Sequence, residues 1–211
     1  MPGLEGARVL VTGGTSGIGA AVVAHLSARG ARVALPDRDA QRGGAVAEGV
    51  AHAVDTLGGL DAVVLSAGVR HEARLSDTSD DAWDAALDSN LLEPYRYAVA
   101  CLPWLRSAGG GSIVTVAAGS ALWPEMELGA YSVAKRGLLA LTRMLAVEAA
   151  PHGVRVNSVC PGDTAPDMAD ASGVAGAVAF FVSPFSASCS GAALLVDGGR
   201  RASQRGAQVA T

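Results

Sequence analysis

Ala7-Arg8-Val9-Leu10-Val11 runs straight into Thr12-Gly13-Gly14-Thr15-Ser16-Gly17-Ile18-Gly19, and this junction decides the fold. The first five residues read as a short buried strand. An apolar periodic helix follows over 17–29, with Ala21, Val22 and Leu26 on one side. Between them, glycines let the backbone approach a charged group closely, and the free N–H groups of a helix N-terminus attract an anion. A glycine cluster alone says little, because glycine-rich turns are common. With a strand before it and a helix after it, such a turn is suited to the phosphates of a dinucleotide.

Outward from this junction, strands and helices alternate. A second strand over 31–35 ends at Pro36-Asp37, and a helix over 40–57 carries Val46, Val50 and Val54 at i, i+4 and i+8. A third strand over 60–65 closes with Ser66-Ala67-Gly68, and a polar loop follows over 69–79. A long helix is expected over 80–105. Asp80, Asp81 and Asp84 stand at its N-terminus as the macrodipole favours, and Pro94 should kink it just after Asn90. Strands over 112–116, 154–159 and 192–196 and helices over 129–150 and 174–182 complete the pattern. There is no repeat and no linker, so residues 1–199 read as one domain, with 200–211 as a loose tail. Alternation of this kind implies an α/β fold with a doubly wound, Rossmann-like parallel sheet covered on both faces. Its ligand crevice should lie at the carboxyl ends of the strands.

The 211 residues suffice for one large core, built mainly from Ala, Val and Leu because aromatic residues make up only 4%. A net charge of −4 without a basic cluster argues against a nucleic-acid surface. Cys101, Cys160 and Cys189 are odd in number and unpaired in spacing, which fits free thiols in a reducing compartment. No apolar run approaches the roughly 20 residues of a membrane helix. A cytoplasmic protein is therefore expected. His25, His52, His71 and His152 are scattered without ligand spacing, so no metal site is expected. Cys160 reads as a small buried hydrophobe rather than a reactive thiol.

Two places carry chemistry. Lys135 is the only lysine in a chain that writes its other cations as Arg, and it stands four residues after Tyr131, one turn along the same helix face. A compact, rotatable ammonium kept beside a phenol suggests a chemical role. The other reading is an ordinary exposed helix pair. Asp37, 18 positions beyond Gly19 at the end of the second strand, is placed to accept hydrogen bonds from an adenosine ribose and to repel a 2′-phosphate. That favours NAD over NADP, although Arg38 beside it can instead receive a 2′-phosphate.

With the glycine turn, Asp37, Asn90 and the Tyr131-x-x-x-Lys135 pair in this order, the chain resembles the short-chain dehydrogenase/reductase family. Arg155-Val156-Asn157, Pro161-Gly162 and Val196-Asp197-Gly198-Gly199 also look like family landmarks. The resemblance implies hydride transfer between a nicotinamide cofactor and a carbonyl or alcohol on a small substrate. Tyr131 would be the general acid/base, its ordinary pKa of about 10 drawn down by the neighbouring Lys135 ammonium. Asn90 would help hold a water that relays protons to the lysine. Gly13, Thr15, Ser16, Gly17, Ile18 and Gly19 would cradle the cofactor phosphates, with Ala67, Gly68, Pro161, Gly162 and Thr164 along the rest of the cofactor. Family members pair through their long helices, so a homodimer or homotetramer is expected.

Four departures stand against this pattern. The family's serine, 13 positions ahead of the tyrosine, is here Ala118; Ser120 can replace it only if the loop is rearranged. The stretch between Asp37 and Leu60 is too short for the family's third strand, which leaves six strands. The usual Asn-Asn-Ala-Gly turn reads Leu65-Ser66-Ala67-Gly68. The lid after Gly162 is nearly gone. A non-redox use of the fold, by proton transfer at Tyr131 alone or as a nucleotide-binding scaffold, therefore stands beside the oxidoreductase reading.

Overall fold

A computed structural model describes residues 3–36, 45–162 and 169–201. Six strands, β1 (Arg8–Thr12), β2 (Arg32–Ala34), β3 (Ala62–Leu65), β4 (Gly111–Val116), β5 (Val154–Pro161) and β6 (Ala193–Val196), form one parallel sheet in the order β2-β1-β3-β4-β5-β6. The six-stranded doubly wound sheet is the one expected. Every residue of β3 is buried, as an inner strand of a sheet covered on both faces requires.

The two faces are read off alternate residues of each strand. Leu10, Val63, Leu65, Ile113 and Val156 point into a core with α2 (Ala45–Leu57), α4 (Glu93–Ser107) and α5 (Gly129–Ala149). Val9, Val11, Ala62, Val64, Val114 and Val159 point the other way, against α1 (Gly17–Ser27) and α6 (Ala169–Val182). Strand order reverses beside β1, which has β2 on one side and β3 on the other. A crevice therefore opens where Thr12 and Leu65 end their strands.

Buried polar side chains tie the layers. Asn157, fully buried on β5, donates to the Cys189 carbonyl at 2.8 Å and accepts from the Ala192 N–H at 3.1 Å, which fixes the approach to β6. Arg155 reaches the Phe181 carbonyl at 2.9 Å and the Ser186 hydroxyl at 2.6 Å. On the other face the Thr142 hydroxyl donates to the Leu138 carbonyl at 2.7 Å, so Thr115, 2.9 Å away, must donate to Thr142.

Several expectations need correction. The single helix expected over 80–105 is three pieces: α3 (Asp80–Leu87), a wide π-helical turn over Asp88–Leu92, and α4. Pro94 has no N–H to give the Asn90 carbonyl four residues back, so the widening comes before the proline and holds Asn90 at its centre. β5 runs on to Pro161, and α6 begins at Ala169, earlier than its apolar residues suggested. The polar loop over 69–79 contains a 3-10 turn at Leu75–Asp77. Of the tail expected to be loose, Arg200 and Arg201 are described. The Arg201 N–H is held by Asp197 at 3.0 Å, and its guanidinium pairs with Glu125 and lies 5.8 Å from the centre of the Trp123 ring. Residues 40–44 of the second expected helix lie outside the described residues.

Candidate active site

The glycine turn is shaped by close approach. Gly13 has φ of +66°, and a Cβ there would sit 2.8 Å from the Ala67 backbone. A Cβ on Gly19 would sit 2.0 Å from the Gly13 carbonyl oxygen, so α1 packs onto the turn only with glycine at this position. Thr12, nearly fully buried, accepts from the N–H groups of Ser66 at 3.1 Å and Ala67 at 3.2 Å, which locks the end of β1 to the end of β3. Ser16 caps α1 without a side-chain bond, and no acidic residue stands in its first turn. The first N–H groups of this helix therefore face the crevice with no acidic side chain in their own turn.

A cleft of about 300 Å³ opens here. It brings together Gly13, Ser16, Gly17, Ile18, Gly19, Ala67, Gly68, Ser120, Tyr131, Lys135, Pro161 and Gly162, all expected at the site from the sequence. Thr15 is exposed on the turn and does not line it. Asp37 and Thr164 lie outside the described residues. Asn90 sits behind the cleft wall, fully buried.

Lys135 is 3% exposed, which excludes the ordinary surface pair. Its Nζ donates to the Val116 carbonyl at the end of β4 at 3.0 Å and lies 5.7 Å from the Tyr131 ring centre. Loss of hydration pushes its pKa down to about 8, opposed by the nearby Cys160 and Glu93. Asn90 Nδ2 donates to the Val69 carbonyl at 2.9 Å and the Ala86 carbonyl at 3.0 Å, while its Oδ1 is buried without a partner. A Cβ on Gly68 would meet Asn90 Oδ1 at 2.5 Å and Lys135 Nζ at 3.0 Å, so the two atoms face one spot beside this glycine. A buried acceptor with no donor, beside an ammonium with hydrogens to spare, is a site for a bridging water.

Tyr131 departs from expectation. Burial raises its pKa, and the charge opposing that rise is Arg70 on the cleft wall rather than Lys135. The lysine, itself dehydrated and turned to Val116, does not by itself draw the phenol down. Ala118 lines the cleft where a serine was sought. Ser120 lies on the next 3-10 turn, with its hydroxyl buried, unpartnered and on the cleft wall. Cys160 is fully buried and its thiol is pushed up to about 11, so it stays protonated, as a small core residue would. The sequence reading missed Arg70, two residues past Gly68, and Glu125, which lines the cleft and holds Arg201.

Residues 36–174 match a family model described as Enoyl-(Acyl carrier protein) reductase, and residues 7–52 one described as short chain dehydrogenase. An uncharacterized oxidoreductase from Thermotoga maritima is 34% identical over 182 residues, which are 76% of this chain and 72% of that protein. The D-β-hydroxybutyrate dehydrogenase of Cupriavidus necator is 30% identical over 75% of this chain and 71% of its own length. The chain belongs to the short-chain dehydrogenase/reductase family. A solved structure described as a short-chain alcohol dehydrogenase from Sinorhizobium meliloti matches with a TM-score of 0.88, covering 95% of this chain and 98% of that one at 28% identity.

Short-chain dehydrogenases use nicotinamide cofactors, and the residues here fit one. The turn from Gly13 to Gly19, with glycine at 13, 14, 17 and 19, lets a pyrophosphate approach its backbone, and Lys135 lines the same cleft. Gly19→Ala should abolish NADH binding, because its Cβ cannot coexist with the Gly13 carbonyl. Fluorescence titration of NADH checks this, and binding at wild-type affinity would show that the turn is not the phosphate site.

Proposed function

We propose that the chain is an NAD(H)-dependent oxidoreductase that interconverts a ketone or aldehyde and an alcohol on a small organic substrate. The observation that carries this reading is Lys135, buried one helical turn from Tyr131 and facing the unpartnered Asn90 Oδ1 across Gly68. The bound dinucleotide supplies or accepts the hydride. Tyr131 gives the proton to the substrate oxygen during reduction and takes it during oxidation. Lys135 holds the cofactor end and, with water on Asn90, restores the proton to Tyr131. Ser120 supplies the second hydrogen bond to the substrate oxygen in place of the serine absent at 118.

Relatives of similar identity are named for chemically different substrates, D-β-hydroxybutyrate and galactose, so neither name transfers. The preference for NAD over NADP rests on Asp37 in the sequence. It should appear as tighter binding of NADH than NADPH, with the gap narrowed in Asp37→Ala; equal affinities in the unmodified protein would contradict it. Assembly as a homodimer or homotetramer is supported by the apolar stripe Leu92, Tyr95 and Val99, each over 40% exposed at i, i+3 and i+7. A monomeric mass by light scattering at micromolar concentration would refute it.

The catalytic roles are separable by substitution. Tyr131→Phe should abolish NADH oxidation against every carbonyl while leaving NADH binding in place. Ser120→Ala should cost about 10²–10³ in kcat, the usual loss of one donor to a developing oxyanion. A silent Ser120→Ala together with a large gain in Ala118→Ser would instead mark position 118 as the vacant donor site. A second reading, proton transfer at Tyr131 without hydride transfer, is favoured by the raised phenol pKa and by Ala118. Absence of NADH oxidation in both the natural protein and Ala118→Ser would select it.

A further inference from the structure

The wide turn over Asp88–Leu92 leads directly into Glu93, the first residue of α4, with Tyr97 one helical turn beyond. Three buried polar atoms along this line have no hydrogen-bond partner: Asn90 Oδ1, Glu93 Oε1 and the Tyr97 hydroxyl. Each such atom costs folding free energy. Three such atoms at 90, 93 and 97, spaced i, i+3 and i+7, lie along one line and are acceptors or donors that a water could satisfy. The line begins beside Lys135, whose Nζ shares the Gly68 spot with Asn90 Oδ1. Its middle member, Glu93, is only half-buried, whereas Tyr97 beyond it is fully buried, so the Glu93 carboxyl is the point at which this line meets the surface.

The charges around Glu93 are consistent with this. Burial and Asp88 raise its pKa, and Arg96 and Lys135 oppose them. Arg96 is already paired with Asp88 at 2.8 Å. Tyr97 also faces the carboxyl, and Cys101 lies beyond Tyr97. Burial pushes both of these groups up to about 12, so Tyr97 stays protonated and keeps a hydrogen to donate rather than carrying the proton away.

We propose that Glu93 is the outer station of the proton relay, exchanging protons between bulk water and the Lys135–Asn90 water. This rests on the use of Tyr131 as acid/base given above. In alcohol oxidation the hydride leaves with the cofactor and the hydroxyl proton goes to the Tyr131 phenolate. The relay restores that phenolate by moving one proton outward to the Glu93 carboxylate, which then releases it to water. Reduction runs the same transfers inward. Glu93 touches neither substrate nor cofactor; it acts through Lys135 and the water.

Glu93→Gln, Glu93→Asp and Tyr97→Phe, measured in the full chain, test this. Glu93→Gln should lower kcat about tenfold, below the usual 10²–10⁴ of a positioned acid or base because water still reaches Lys135 slowly. KM and NADH affinity should be unchanged. Formate or imidazole should restore kcat with increasing concentration, Glu93→Asp should lie between, and Tyr97→Phe should shift the pH profile. A raised carboxyl pKa also means that ionised Glu93 opposes folding. Glu93→Gln should therefore melt higher than the natural protein above the pH where Glu93 ionises, with the gain vanishing in acid where the carboxyl is neutral. A wild-type pH profile in Glu93→Gln, or a kcat loss that no buffer acid restores, overturns the proposal.

An infrared pH titration of the protein without cofactor separates this proposal from the reading it rests on. A protonated carboxyl band persisting above the ordinary carboxylate range, lost in Glu93→Gln and moved to still higher pH in Lys135→Met, supports the relay even if no carbonyl is ever reduced. Absence of that band, or its indifference to Lys135→Met, refutes the relay even if NADH oxidation is brisk.

Discussion

Removal of the Lys135 ammonium from water is the constraint on which the rest of the site depends. Taking a cation out of water costs several kcal/mol unless dipoles replace the lost hydration. The carboxyl ends of parallel strands provide such dipoles, and the Val116 carbonyl at the end of β4 is the one it takes. Gly68 must lack a side chain so that Asn90 Oδ1 can share the space beside the amine. The helix carrying Asn90 must widen before Pro94 to bring that oxygen there. The glycine after β3 and the widened turn that carries the unpartnered Asn90 Oδ1 thus meet at one buried charge.

The substrate side is less complete. The loop from Gly119 to Leu128 carries Ser120 and Glu125, and the chain following β6 reaches across to it through Arg201. That contact braces the loop. Outside it, an apolar groove of about 950 Å³ shares Ser120 and Glu125 with the cofactor cleft. The lining is therefore continuous from the cleft to this groove.

Much of this was legible in the sequence because burial on both faces of a parallel sheet writes continuous apolar runs. The strand expected over 60–65 is found at Ala62–Leu65, buried throughout. The glycine turn was legible for the same kind of reason, since a helix packed onto a carbonyl excludes every side chain but hydrogen. The single lysine marked the chemistry. What could not be read were contacts between distant positions. The π-helical turn has the same apolar spacing as the α-helix expected there, and only the freed Asn90 carbonyl distinguishes it. The Arg201–Glu125 pair joins residues far apart in the chain. The rise of the Tyr131 pKa came from burial, which the local sequence does not show, so the lysine alone was expected to set it. Glu93, inside the single helix expected over 80–105, carried no signal of its own.

The central claim is that a compact amine, buried beside Tyr131, anchors a nicotinamide cofactor. Calorimetric titration of NADH into the purified protein and into Lys135→Arg tests it most directly, since Arg keeps the charge but cannot fit a fully enclosed point donor. Saturable binding to the natural protein and its loss in Lys135→Arg is the expected result. Equal affinity in both, or no binding in either, would contradict it.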